Sequence, residues 1–339
     1  MSLPLHGANY EALYAGFGLE VPHDLPILDF STNTNVVEWG GDLRFDIAAL
    51  AADYPDPESL VLRKVIAARE GCSVDNVLIT NGSNEAIYLI ASYFGGQRAF
   101  IHDPVYGEYR RACESYGVGE ARCAEEADLR FICNPCNPTG AYLRNQNLEG
   151  MLGESEKQLF VIDEAYRDFL RVGDRPFDFL KFPNAIVLRS LTKIFHLCGA
   201  RIGYVLASGE WVDKLKKRQP VWSVNAFAQE LCLRFLSDPD FVGRTRAFYE
   251  AETPRFMDRL EKIGLRLIPT RTNFFLVAAD DDETTIAELL KRGIVVRHTR
   301  NFKGLDGRYL RVAARLPAEN DRFADTAAAL KALHGERVF

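Results

Sequence analysis

Residues 185–207 read AIVLRSLTKIFHLCGARIGYVLA. Two short apolar runs, Ala185–Leu188 and Gly203–Ala207, bracket a polar loop that carries Lys193 and, eight residues on, Arg201. Each run is too short for a helix and apolar throughout, the pattern of a strand buried on both faces. Working outward, comparable runs stand at Val77–Thr80, Arg98–His102, Leu129–Cys133 and Leu159–Asp163, with helical patterns at Glu58–Glu70 and Ser83–Phe94. Short apolar strands separated by helices predict an α/β fold whose mostly parallel sheet is covered on both faces. Ligands bind at the carboxyl ends of the strands in such sheets. The polar motifs fall there: Gly82, Asn137, Asp163 and Ser190 to Lys193 each end or follow a strand.

A long helical region, about Ala226–Lys262, comes next. A smaller α+β unit follows: the strand Asn273–Ala279, the helix Thr284–Arg292, the strands Ile294–Arg297 and Tyr309–Ala313, and a last helix Asn320–Leu333. The N-terminal segment is rich in Gly, Pro and Asn and is expected to pack on this smaller unit. The expected division is therefore an N-terminal segment (1–40), a large domain (41–225), and an interdomain helix with a small C-terminal domain (226–339).

The 339 residues suffice for a large core, and 47% hydrophobic with 26% charged residues is the balance of a soluble globular chain. A net charge of −6 offers no basic face for nucleic acid and no polybasic segment for a membrane. No apolar run reaches eighteen residues and no basic n-region precedes an apolar one, so neither a membrane span nor a secretory leader is expected. The cysteines are 7 and irregularly spaced, which argues against a disulfide framework and for a reducing, cytoplasmic setting. Cys133 and Cys136 form a CxxC inside CNPCNPTG, but no second ligand pair stands out; they read as small residues lining a turn, and no metal is expected.

Lys193 lies in Ser190-Leu191-Thr192-Lys193. Lysine is the side chain that condenses with an aldehyde cofactor once its amine is deprotonated. The neighbouring hydroxyls and Arg201 suit an anionic group such as phosphate. Asp163, in Asp163-Glu164-Ala165-Tyr166, can pair with a protonated pyridine nitrogen or cap a helix. Asn137-Pro138-Thr139-Gly140 can present an amide to a phenolic oxygen or serve only as a turn. Asn81-Gly82-Ser83-Asn84 opens a helix after a strand, which makes either a phosphate site or an ordinary cap. Tyr106 follows a strand and can stack on a ring or pack. Neither GxGxxG nor GxxxxGK[ST] is present, which disfavours nucleotide cofactors.

In this order, and with a late Leu310-Arg311-Val312, these residues resemble the fold-type-I pyridoxal-phosphate enzymes, the class I/II aminotransferase superfamily, over nearly the whole chain. The resemblance implies a PLP-dependent transferase fold: a large domain with a mostly parallel seven-stranded sheet between helices, and a smaller α+β domain. It implies pyridoxal 5'-phosphate as cofactor and gives each residue a role. Lys193 is the Schiff-base lysine and proton shuttle, Asp163 the partner of the pyridine nitrogen, and Asn137 and Tyr166 the contacts of the phenolic oxygen. Gly82, Ser83, Asn84, Ser190, Thr192 and Arg201 surround the phosphate, and Tyr106 stacks on the ring. Tyr54, in Tyr54-Pro55-Asp56-Pro57, resembles the tyrosine donated by a partner subunit, implying a homodimer with shared sites. Arg311 resembles the arginine that clamps the substrate carboxylate.

Within the superfamily, His6-Gly7-Ala8-Asn9, Asp29-Phe30-Ser31-Thr32-Asn33 and Gln219-Pro220-Val221-Trp222-Ser223-Val224-Asn225 resemble threonine-phosphate decarboxylases. Those enzymes convert L-threonine O-3-phosphate to (R)-1-amino-2-propanol phosphate in cobalamin biosynthesis. Histidinol-phosphate aminotransferases are the next resemblance, and a lyase or cyclase on the same scaffold a further one. The chain departs from the decarboxylase pattern at Ala8, where a second glycine is usual, and at Asn33-Thr34-Asn35-Val36, where Asn-x-Asn-Pro is usual. The reactions differ in which bond at the substrate α-carbon stands perpendicular to the cofactor ring. That choice is expected to rest with His6, Asn33, Arg297 and Arg311. Trp222 and Asn225 are expected to divide between packing and pocket wall, and His196 to be a structural residue of the loop. A catalytically idle regulator module would need an appended DNA-binding domain, and no helix-turn-helix precedes residue 40.

Overall fold

The computed structural model describes residues 3–170, 177–335 and 338–339. The N-terminal segment contributes one short strand, β1 (Leu28–Asp29). The next seven strands are β2 (Val77–Thr80), β3 (Arg98–Ile101), β4 (Gly119–Glu120), β5 (Leu129–Cys133), β6 (Leu159–Asp163), β7 (Ala185–Ser190) and β8 (Gly203–Ala207). They form one seven-stranded sheet in the order β2-β8-β7-β6-β5-β3-β4. Strands β5 to β8 of its centre carry Val, Ile, Leu and Phe because both faces are covered: Val161, Ile162, Ile186, Val187, Val205 and Leu206 are all buried.

The pairs from β7 through β4 are parallel, whereas β8 runs antiparallel to both β2 and β7. The cause lies in the β7–β8 connection. A parallel neighbour requires a crossover that carries the chain back along the length of the sheet, usually on a helix. Here the connection holds only a four-residue helix, Leu191–Ile194. The chain therefore turns back at the carboxyl edge of β7 and leaves Lys193 there. Register aligns Thr80 with Gly203 and Gly203 with Ser190, and farther along Leu188 with Asp163 and Asp163 with Cys133. One edge of the sheet thus gathers the ends of five strands.

Two helices, Ala226–Leu236 and Phe241–Lys262, replace the single helical region expected. The break falls at Asp238-Pro239-Asp240, where the Asp238 carboxylate accepts the Asp240 N–H (3.1 Å). The smaller unit holds β9 (Leu267–Ile268), β10 (Phe274–Ala278), β11 (Ile294–Val295), β12 (Arg297–His298) and β13 (Tyr309–Ala313). Its antiparallel sheet runs β12-β13-β10-β9, while β11 pairs with β1 instead. The strand expected over Ile294–Arg297 is therefore split at Val296, because its two halves find partners in different sheets. The last helix, Pro317–His334, begins three residues earlier than read, since proline is tolerated in a first turn.

The N-terminal segment lies on this unit. Tyr14 Oη donates to Leu290 O (2.7 Å), and Phe30 packs on Phe323 at 4.9 Å between ring centroids. Residues 3–8 run on as a strap. Arg297 Nη2 donates to Leu5 O (2.5 Å) and to Asn301 Oδ1 (2.7 Å), and His298 Nε2 lies 2.9 Å from Pro4 O. Ala8, where the resembling pattern has glycine, adopts φ +61. That left-handed conformation costs a residue with a Cβ about 1–2 kcal/mol.

Candidate active site

A cleft of about 570 Å³ opens at the gathered strand ends, between the large sheet and the smaller unit. Lys193 lines it from the short helix after β7. The Lys193 carbonyl accepts the Asn35 N–H (2.9 Å), and the Asn35 side chain donates to Ile194 O (2.9 Å), so the N-terminal segment braces this loop. Burial lowers the pKa of the Lys193 amine; Arg311 and Arg201 push the same way, while Cys198 and Asp163 oppose. His196 has its Nδ1 2.7 Å from Asn35 O, a structural contact of the same brace.

Asp163 ends β6 and is buried at the cleft floor. Its Oδ2 accepts from Tyr109 Oη (2.7 Å) and its Oδ1 from the Ala165 N–H (3.0 Å). Burial raises its pKa, and these donors with Lys193 lower it. Tyr106 lines the cleft above, its Oη 3.5 Å from Asn84 Oδ1.

The helix Gly82–Tyr93 starts at this edge, and Asn81 makes no side-chain cap to its first turn. The leading N–H groups of an uncapped helix are donors for an anion. Gly82 has φ +72, and a Cβ there would meet Arg201 Nη2 at 2.7 Å. A Cβ on Gly203 would meet Ser83 N at 2.7 Å. Two glycines therefore let the helix start, the sheet edge and the Arg201 guanidinium close on one small volume. Ser83, Asn84, Ser190, Thr192 and Arg201 all line the cleft, and Gly82 lies directly behind Arg201. Ser190 caps no helix donor; the Thr192 hydroxyl donates to Ile202 O (3.2 Å), so its proton is turned from the cleft in this arrangement.

Asn137 is buried and its Oδ1 accepts from Arg311 Nη1 (2.6 Å), which leaves its amide hydrogens for the cleft. Arg311 Nη2 donates to Ser31 O (2.6 Å), and its Nε is buried without a partner among the described residues. Tyr166 is buried, edge-on to Phe274 at 4.9 Å. Arg297 lines the cleft opposite Arg311 in the β12–β13 ladder; burial and Arg311 lower its pKa to about 9. His6 lies at the mouth, its Nε2 3.1 Å from Glu108 Oε1. Asn33 lines the cleft, and its amide nitrogen is buried without a partner among the described residues.

Of the residues expected from sequence, Tyr54 stands apart. It is 80% exposed, stacked on Trp222 at 4.6 Å, and outside this cleft. Trp222 is likewise outside it, and Asn225 caps the helix Ala226–Leu236. Sequence reading missed Tyr109, Glu108, Ser31 and Cys198, all of which line the cleft. Among the described residues no cluster of metal ligands occurs, all seven cysteines are free, and no helix is long and apolar enough to cross a membrane.

A buried amine of lowered pKa, a buried carboxylate, and a glycine-lined anion cradle together fit a cofactor with an aldehyde, a basic ring nitrogen and a phosphate. The family "Aminotransferase class I and II" matches residues 43–326, and the chain belongs to it. It is a pyridoxal-phosphate-dependent enzyme, of PLP-dependent transferase fold type I. The chain is 32% identical to a histidinol-phosphate aminotransferase of Symbiobacterium thermophilum, covering 93% of this chain and 92% of that protein. It is 30% identical over 96% of its length to the adenosylcobalamin biosynthesis bifunctional protein CobDQ of Leptospira interrogans, of which it spans only 41%. The L-threonine-O-3-phosphate decarboxylase structure from Porphyromonas gingivalis superposes with a TM-score of 0.79 at 27% identity, over 84% of this chain and 92% of that one.

Proposed function

We propose that the enzyme acts on a phosphorylated amino acid, with L-threonine O-3-phosphate as substrate and (R)-1-amino-2-propanol phosphate and CO₂ as products. The Arg297–Arg311 pair carries this reading. Two buried guanidiniums sit directly opposite on β12 and β13, both on the cleft wall. Like charges so placed destabilise a sheet. A substrate carrying a doubly charged phosphate offsets that repulsion, and an unphosphorylated, singly charged amino acid does not. The similarity to CobDQ and to threonine-phosphate decarboxylase points the same way.

When bound, the cofactor supplies a protonated ring that draws an electron pair from a bond at the substrate α-carbon. Asp163 holds the proton at the ring nitrogen. Asn137 and Tyr166 hold the phenolic oxygen, and Tyr106 covers the ring. The N–H groups of Gly82, Ser83 and Asn84, with Ser190 and Arg201, hold the phosphate, and Thr192 joins them if its hydroxyl turns. Lys193, whose amine pKa burial lowers, would be the residue that holds the aldehyde carbon, with loss of water, and that moves a proton at the substrate α-carbon. Arg297, His6 and Asn33 orient the substrate's distal phosphate, which frees its carboxylate to leave.

One observation favours a second reading. Arg311 is hydrogen-bonded at 2.6 Å to Asn137, the residue assigned above to the phenolic oxygen. If Arg311 clamps the substrate carboxylate, the α-hydrogen would be the group removed instead. That is the reaction of an aminotransferase of histidinol-phosphate type, with glutamate and 2-oxoglutarate as the second pair. A lyase or cyclase would follow from other bond choices on the same scaffold. Incubation with L-threonine O-3-phosphate, and separately with histidinol phosphate plus 2-oxoglutarate, decides: CO₂ release supports the first reading, glutamate formation the second.

The same reading includes a homodimer in which Tyr54 reaches the partner's cleft. It is supported by the exposed Leu43, Ile47, Tyr54, Val61, Val221 and Trp222, apolar side chains grouped on two neighbouring stretches of the large unit. Such exposure marks interaction surfaces.

A further inference from the structure

Tyr109 is the second residue of the helix Glu108–Ser115 and is fully buried. Its ring is stacked on Phe131 (4.9 Å, 9°) and stands edge-on to Tyr106 (5.7 Å, 85°). Those contacts set the hydroxyl, which donates to Asp163 Oδ2 at 2.7 Å. The Ala165 N–H takes the other oxygen. A carboxylate has about four acceptor positions. With one protein donor on each oxygen, Asp163 is held at both while it still lines the cleft.

The other titratable groups facing Asp163 are Lys193 from the loop after β7, Cys133 from β5, and Tyr106 and Tyr166. Of these, Lys193 alone favours the charged carboxylate, and it does so without a hydrogen bond to it. Burial acts against the charge, and the Tyr109 hydrogen bond is the largest influence in its favour.

We propose that Tyr109 is the positioning residue of Asp163: its buried hydroxyl fixes the carboxylate's orientation and keeps it an anion for the ring nitrogen of the cofactor. This rests on the assignment of Asp163 made above. Without the hydroxyl, Oδ2 is left in a buried site with no protein donor. The proton shared between Asp163 and the ring nitrogen then shifts toward the carboxylate, and the ring loses part of its pull.

The test is Tyr109→Phe in the reconstituted holoenzyme. Phenylalanine keeps the stack on Phe131 and the edge contact with Tyr106, so a role in packing alone predicts no change. A hydrogen bond to a charged group implies that the pH midpoint of the cofactor's visible band moves by about one unit and that cofactor affinity falls about tenfold. Turnover falls while KM stays within about twofold, because the hydroxyl does not touch substrate. A second measurement guards against a general loss of folding. Tyr109→Phe combined with Asp163→Asn should be no worse than Asp163→Asn alone, since Tyr109 acts through Asp163. An unmoved midpoint with unchanged affinity, or additive losses in the double variant, overturns the proposal. Wild-type protein that shows no lysine-linked visible band would overturn the cofactor assignment itself, a result distinct from an intact band indifferent to Tyr109.

Discussion

Lys193 and Arg201 stand eight residues apart and meet the same cleft from opposite ends of one short connection. Their contributions separate cleanly. Lys193→Ala removes the amine that burial keeps reactive, and the visible absorbance of the lysine-linked cofactor should vanish while the fold survives. A band retained through some other lysine would show that the amine was misassigned. Arg201→Ala leaves the band but removes charge-assisted contacts worth about 1.5–3 kcal/mol, so cofactor should dialyse away about tenfold or more faster. Equilibrium titration of the apoenzyme measures this. Arg201 is also restrained by its own backbone, at φ +58, and by Gly82 pressed against its guanidinium. Any side chain at Gly82 would displace it, so Gly82→Ala should resemble Arg201→Ala although it removes no charge.

At the level of elements, the strap and β12 form a unit that responds to acid. His298 is buried, hydrogen-bonds Pro4 O, and has its pKa lowered to about 4 from an ordinary 6.5, chiefly by burial and by Arg297. The unfolded chain binds this proton below pH 6.5 and the folded chain does not until about pH 4. Stability should therefore fall as pH drops through that window, by about 3 kcal/mol at its lower end. His298→Gln should flatten the dependence in urea titrations at pH 4–6.5. These elements also divide what could be read from sequence from what could not. The strands at Val77–Thr80, Leu129–Cys133, Leu159–Asp163 and Gly203–Ala207 stand where their apolar runs place them, because burial on both faces leaves one signature. The motif residues at their ends came with them. Tyr109 was not legible, since a tyrosine on an amphipathic helix looks like core until its hydroxyl is found at Asp163. Nor was the Glu108–His6 contact, which joins residues 102 positions apart in a numbering no local pattern spans. The split of Ile294–Arg297 depends on which partner each half meets, a matter of tertiary pairing alone.

For the whole molecule the open face of the large unit is decisive. If two copies bury Ile47, Tyr54, Val61 and Trp222 against each other, wild-type protein sediments as a dimer, and Trp222→Glu yields monomer with weakened cofactor binding. A monomeric wild type with full cofactor affinity would refute both the interface and the role of Tyr54. Closer to the chemistry, the rung formed by Arg297 and Arg311 has a practical outcome for anyone handling the enzyme. Two desolvated cations side by side do not discriminate sharply among small polyanions. Sulfate, citrate or inorganic phosphate in a buffer should occupy that rung, raise the melting temperature by mass action, and act as competitive inhibitors. Kinetic constants measured on this protein will depend on the salt it is purified in, and chloride-based buffers at fixed ionic strength are the appropriate baseline.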